Sequence, residues 1–150
     1  MNQIKNLSLI GIFMAFVVIA LGAWTRLVDA GLGCPDWPGC YGFVFWPNDE
    51  SEIALAESRF PMFPYDINKA IPEQVHRLFA ASLGLLAIIL VYLSFNKTKN
   101  KSMHRWSAFL LLLICCQGLF GYLTVSLKLL PIIVTIHLFG GFATLTLLYY

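Results

Sequence analysis

Four stretches of the chain run apolar for roughly the thickness of a bilayer, and most polar residues gather between them. A helix needs about 20 predominantly apolar residues to cross a hydrocarbon core of about 30 Å. On that measure spans are predicted at about 7–24, 72–95, 106–127 and 132–150. The first follows Lys5 and contains the small pair Ala20 and Gly22, features shared with a cleavable secretory signal. Its apolar run is longer than a signal core, so it reads as a retained helix. The pattern therefore predicts an all-α membrane protein, with residues 1–150 forming a single four-helix transmembrane bundle. A long outer loop, about 26–71, joins helices 1 and 2. Within that loop "NDESEIALAE" is short enough to be a helical turn or two, and periodicity alone leaves it open.

Composition agrees with this pattern: 59% of residues are hydrophobic, 12% are charged and the mean hydropathy is +0.75. The placement of charge adds an orientation. "NKTKNKSMHR", between the second and third spans, carries Lys97, Lys99, Lys101 and Arg105 with no acid, and Lys5 precedes the first span. All eight acidic residues lie from Asp29 to Glu73. The positive-inside rule then puts both termini in the cytoplasm and the 26–71 loop outside, in a multi-pass protein of the inner (plasma) membrane. The net charge of +2 follows from this topology, and no clustered basic face of a nucleic-acid binder is present. The fourth span ends at Tyr150 with no basic anchor beyond it, which leads to the expectation of a fragment or half of a longer protein.

The loop brings candidate chemistry. Cys34 and Cys40 bracket "CPDWPGC" on the side where an oxidising compartment lets them pair. So short a ring adds only about 2 kcal/mol through loop entropy, which points to a local staple ahead of redox chemistry. Zinc lacks the second ligand pair that a structural site requires. Trp37, Tyr41, Phe43, Phe45, Trp46, Phe60, Phe63 and Tyr65 suit an interfacial belt or a lid over the membrane. Cys115 and Cys116, mid-span, are expected to pack as small hydrophobes, and His104 among its lysines to be solvated.

Ionisable groups inside the spans carry the strongest functional signal, because they are costly unless they face a partner or a cavity. Glu73 and His76 are three residues apart and share a helix face, just after Pro72. Arg77 follows and is expected to snorkel outward. His137 enters the fourth span from the same side, six residues after Pro131, at a depth within about a turn of His76. Two imidazoles at matched depth on two helices, beside a glutamate, fit axial ligation of haem. Gly140 and Gly141 would admit a neighbouring helix or a flat macrocycle. Zinc with Glu73 as third ligand is the smaller alternative. Gln117 is a further intramembrane polar group, suited to a ligand or to another helix, and with Glu73 and His76 it also admits a proton or ion pathway.

Four segments taken in order, "GAWTRLVDAGLGCPDWPGCYG", "PEQVHRLFA", "QGLFGYLTV" and "VTIHLFGG", resemble the haem A synthase family over about residues 22–141. The resemblance implies oxidation of a ring methyl of haem O to the formyl of haem A, by successive hydroxylations, for cytochrome oxidase biogenesis. Family members are about twice this length, with two similar four-helix halves, and this chain resembles the first. It implies that His76 and His137 hold the iron of the haem O substrate and that Glu73 is the catalytic residue, as acid, base or stabiliser of a cationic intermediate. Arg77 then has a second option, a haem propionate. Cys34 and Cys40 match the family's cysteine pair, as disulfide, redox relay or haem-handling element. The haem b cofactor is expected in the missing second half, or two copies of this chain associate as a homo-oligomer. An electron donor and the enzyme that makes haem O complete the expected partners. The competing reading is a bis-histidine b-type haem-binding or electron-transfer membrane protein without methyl oxidation.

Overall fold

The computed structural model describes residues 2–149 and is helical apart from its connections. α1 (Asn2–Leu27), α3 (Ile67–Lys97), α4 (Lys101–Ser126) and α5 (Pro131–Tyr149) are each long and apolar enough to cross a membrane. The short α2 (Glu50–Arg59) lies in the long connection, where "NDESEIALAE" left the outcome open. Asp49 caps α2 by accepting from the Glu52 amide at 2.8 Å, and Glu52 reaches back to the Asn48 amide at 3.0 Å. The four spans are thus those expected, although α1, α3 and α4 each begin about five residues earlier. Tyr150, the expected last residue of the fourth span, lies outside the described residues.

Each long helix packs on two others in the cyclic order α1, α3, α4, α5, which places α3 diagonally across from α5. Short α3–α4 and α4–α5 turns make these neighbours antiparallel. The apolar core occupies the end away from the long connection, where Ala15, Leu83, Leu86, Leu90, Leu110 and Leu148 are buried together. Gly11 allows the closest approach there: a Cβ on it would meet the Leu148 side chain at 2.9 Å. Cys115 and Cys116 do not join this core. They sit exposed on the outside of α4, because the helix turns its other face to α3 and α5.

The connection of residues 28–66 has an interior of its own. Cys34, Cys40, Tyr41, Ala56 and Ala70 are buried against Phe43, Trp46, Phe60 and Tyr65. Cys34 and Cys40 are joined by a disulfide, with Cα atoms 4.7 Å apart. The Asp36 carboxylate accepts from the amides of Tyr41 and Gly42, and the Tyr41 hydroxyl donates to the Pro64 carbonyl. Burial pushes the Tyr41 hydroxyl above the usual tyrosine range, which keeps it a neutral donor. Several aromatic residues assigned by sequence to a belt or a lid therefore pack on one another, as in the edge-on pairs Tyr41–Phe60 and Tyr41–Tyr65.

This module rests on the bundle at several places. Trp37 meets Tyr122 of α4 edge-on, with centroids 6.0 Å apart, and Gly31 abuts Leu129 in the α4–α5 turn. Gly33 lies directly on the first turn of α3, where a Cβ would collide with the backbone of Lys69 and Ala70. Gly33→Ala must lift the loop from the bundle, and we expect a loss of roughly 1–3 kcal/mol, the usual cost of overpacking. Thermal unfolding of the detergent-solubilised variant checks this; an unchanged midpoint would refute the close docking.

Candidate functional site

The site lies beneath the loop, in the half of the bundle that the apolar core does not fill. α3 begins with Asp66 as N-cap, which accepts from the Asn68 amide, and it carries Pro72 inside its second turn. One turn on come Glu73, His76 and Arg77, followed by twenty residues of which only Lys97 is ionisable apart from Tyr92.

Glu73 is buried, with 5% of its surface exposed, and every contact of its carboxylate is to a donor. Oε2 accepts from the Cys34 amide at 3.0 Å. Oε1 pairs with the Arg77 guanidinium, one helical turn along. Arg77 does not snorkel outward. Its other terminal nitrogen donates to the carbonyls of Asp36 (2.7 Å) and Gly39, both within the disulfide ring. The planar guanidinium can satisfy a carboxylate and two carbonyls at once, which a flexible ammonium in the same place cannot do as well. Gln74, 1% exposed, adds donor contacts to the Val44 and Pro38 carbonyls. The mouth of α3 is therefore the seat on which the cysteine ring is held.

His76 points instead toward α1. Its Nδ1 lies 3.0 Å from the Val18 carbonyl. A carbonyl only accepts, so Nδ1 carries the proton and Nε2 keeps its lone pair, the tautomer that an axial ligand requires. Gly22 makes room for the ring: a Cβ there would lie 2.9 Å from Cε1. His137 stands on α5, diagonally opposite, close enough for the two imidazoles to interact electrostatically. Its Nδ1 is buried with no hydrogen-bond partner. Beside it α4 leaves room: a Cβ at Gly121 would reach only ordinary contact with the His137 ring.

Set against the sequence expectations, the structure brings His76 and His137 together across the bundle and turns Glu73 toward the loop. Among the described residues no three His, Cys, Asp or Glu side chains are grouped to hold a metal ion, so the zinc alternative with Glu73 as third ligand has no geometry here. Gly140 and Gly141 admit neighbouring helices: the Gln117 side chain fills the space a Cβ of Gly140 would need, and Ile19 of α1 lies over Gly141. His104 is not simply solvated, since its ring stacks on Phe95. Sequence reasoning missed the donor role of the Cys34 amide, the Val18 carbonyl, and the openings at Gly22 and Gly121. Only Arg77, four residues after Glu73, offered a readable signal, as an ion pair.

The profile of COX15-CtaA, described as a cytochrome oxidase assembly protein, matches residues 5–150. The chain belongs to this family. Within it, 44% of residues are identical to a Heme A synthase of Shewanella oneidensis over 146 residues, covering 97% of this chain and 44% of that protein. A Heme A synthase of Oceanobacillus iheyensis is 29% identical over 126 residues, 83% of this chain and 36% of its own. The chain thus spans less than half the length of these curated relatives. No solved structure matches it. COX15-CtaA membership and the four apolar helices make this a multi-pass membrane protein.

In such a protein, removing one member of a buried ion pair leaves its partner uncompensated, at a cost of about 3–5 kcal/mol. Arg77→Gln is expected to lower stability by that amount, and Arg77→Lys by less. Chemical unfolding in detergent measures both, and equal losses for the two variants would deny the guanidinium its two-sided role.

Proposed function

We propose that the chain is the haem O-binding half of a haem A synthase, acting in the inner membrane with the 28–66 loop outside and both ends of the four-helix unit's chain in the cytoplasm. His76 from α3 and His137 from α5 take the two faces of the iron of haem O. The observation that carries this reading is the pair itself: a ring whose tautomer leaves Nε2 free through Val18, facing a second ring with an unpartnered buried nitrogen across the bundle. The opening of α4 at Gly121 provides a flank for a flat macrocycle beside His137. The names of the relatives add their own support.

In the proposed reaction a ring methyl of haem O is oxidised to a formyl by successive hydroxylations, the oxidant and the oxygen atom coming from outside this chain together with any electrons that a hydroxylating oxidant needs, and with haem b in a second four-helix unit. What this chain's residues contribute is placement and proton handling. Val18 fixes the orientation of His76, and Gly22 sets how near α1 comes to it. Glu73 lies about one helical turn before His76 and pairs with Arg77, and it is the group assigned to move a proton or stabilise positive charge near the substrate. The cysteine ring seals the mouth above them and excludes water.

Co-expression of the chain with a haem O source, followed by chromatography of the extracted haem, tests the proposal. His76→Ala and His137→Ala are each expected to lose the bound haem, read from the Soret band. Glu73→Gln should retain haem while its oxidised products fall by roughly 100-fold or more, the usual range for a lost general acid or base. Wild-type haem that is bound through both histidines but never oxidised, even with a second family half supplied, would support the electron carrier instead.

A further inference from the structure

The end of the bundle opposite the loop holds a second cluster with no part in the haem site. Lys97 ends α3, Lys101 begins α4 and Arg105 follows a turn later, with Lys5 near the start of α1 and no acidic residue at this end. The turn between α3 and α4 is firmly built. The hydroxyls of Ser94 and Ser107 lie 2.7 Å apart, with Ser94 buried. The His104 ring stacks on Phe95 at 4.4 Å and 16°, and its Nε2 lies 3.2 Å from the Thr98 carbonyl. A cavity of about 440 Å³ opens over this turn, lined by Phe95, Lys101, His104, Arg105 and Ala108. On the other side of Arg105 a second hollow of about 220 Å³ is lined by Trp106 and Phe109.

Arg105 therefore stands between a basic hollow facing the polar boundary and an aromatic one leading toward the apolar span. We propose that these two hollows form a binding site for an anionic phospholipid, its phosphate between Lys101, Arg105 and the fixed His104 ring, and an acyl chain along Trp106 and Phe109. The charge complements a phosphodiester, and basic pockets between helix ends commonly take such headgroups. The aromatic continuation favours a lipid over an acidic protein segment, because Trp at the boundary and Phe below it match the glycerol and acyl levels of a bilayer. The inference is independent of the haem reading, since its residues lie at the far end of the bundle.

Native mass spectrometry of the purified chain, with phosphatidylglycerol and phosphatidylcholine of identical acyl chains, tests it. We expect roughly a 25-fold preference for phosphatidylglycerol, falling by roughly fivefold for each basic residue removed in Lys101→Gln and Arg105→Gln. Lys97→Gln with Lys99→Gln, the same change of charge outside the cavity, should keep most of the preference. Circular dichroism confirms the fold of each variant, and Arg105→Lys provides a milder probe, expected to weaken the preference only in part. No preference in the wild type, or equal losses in both double variants, would overturn the site in favour of diffuse charge. Displacement of the lipid by millimolar inorganic phosphate would overturn the acyl contribution, and tighter retention of a glutamate peptide than of either lipid would overturn the lipid as occupant.

Discussion

The structure depends on one buried ion pair. Glu73 and Arg77 sit at the mouth of a membrane helix with side-chain exposures of 7% and 11%, a costly position for two charges. The cost is offset because neither group relies on the other alone. The carboxylate takes the backbone amide of Cys34, and the guanidinium gives its other terminal nitrogen to two carbonyls of the cysteine ring. Loop and bundle are thereby joined through charge-assisted hydrogen bonds, which are stronger than neutral ones. Remove the loop and the pair loses its solvation; remove the pair and the loop loses its seat.

That arrangement divides labour along α3. Residues up to Arg77 face the loop, His76 on a different side faces α1, and from Leu83 onward the helix packs in an apolar core. The same helix thus carries an anchor, a ligand position and a packing surface in succession. The glycines make the division possible. Gly33 lets the loop touch the first turn of α3, and Gly22 lets α1 approach the His76 ring.

The spans, the loop, the cysteine pair and both histidines were legible because each rests on a property that sequence displays: apolar length, charge placement, or a rare ionisable group in an apolar run. The direction of the side chains was not. Arg77 read as a snorkelling residue since nothing local reveals carbonyls from residues 36 and 39 folded over it. Cys115 and Cys116 read as core, although a span in lipid turns such residues outward at no cost, so apolar periodicity does not mark its inner face. Gly140 and Gly141 were seen as openings, correctly, but which neighbour used them depended on how α4 and α1 are rotated against α5.

That rotation has a consequence for α5. The helix has no charged residue, and polar anchors at its boundary are absent from Pro131 to Leu138 apart from Thr135 and His137. Its angular setting is keyed by shape: an amide side chain of α4 seated in the notch of Gly140, and an isoleucine of α1 over Gly141, each within about a turn of His137. A steric key of this kind is indifferent to ionic strength, and it transmits small rotations of either neighbour directly to the imidazole. The aim of one histidine is therefore governed by α1 and α4 together, while the other is tied to α1 alone, so α1 is the common reference for both.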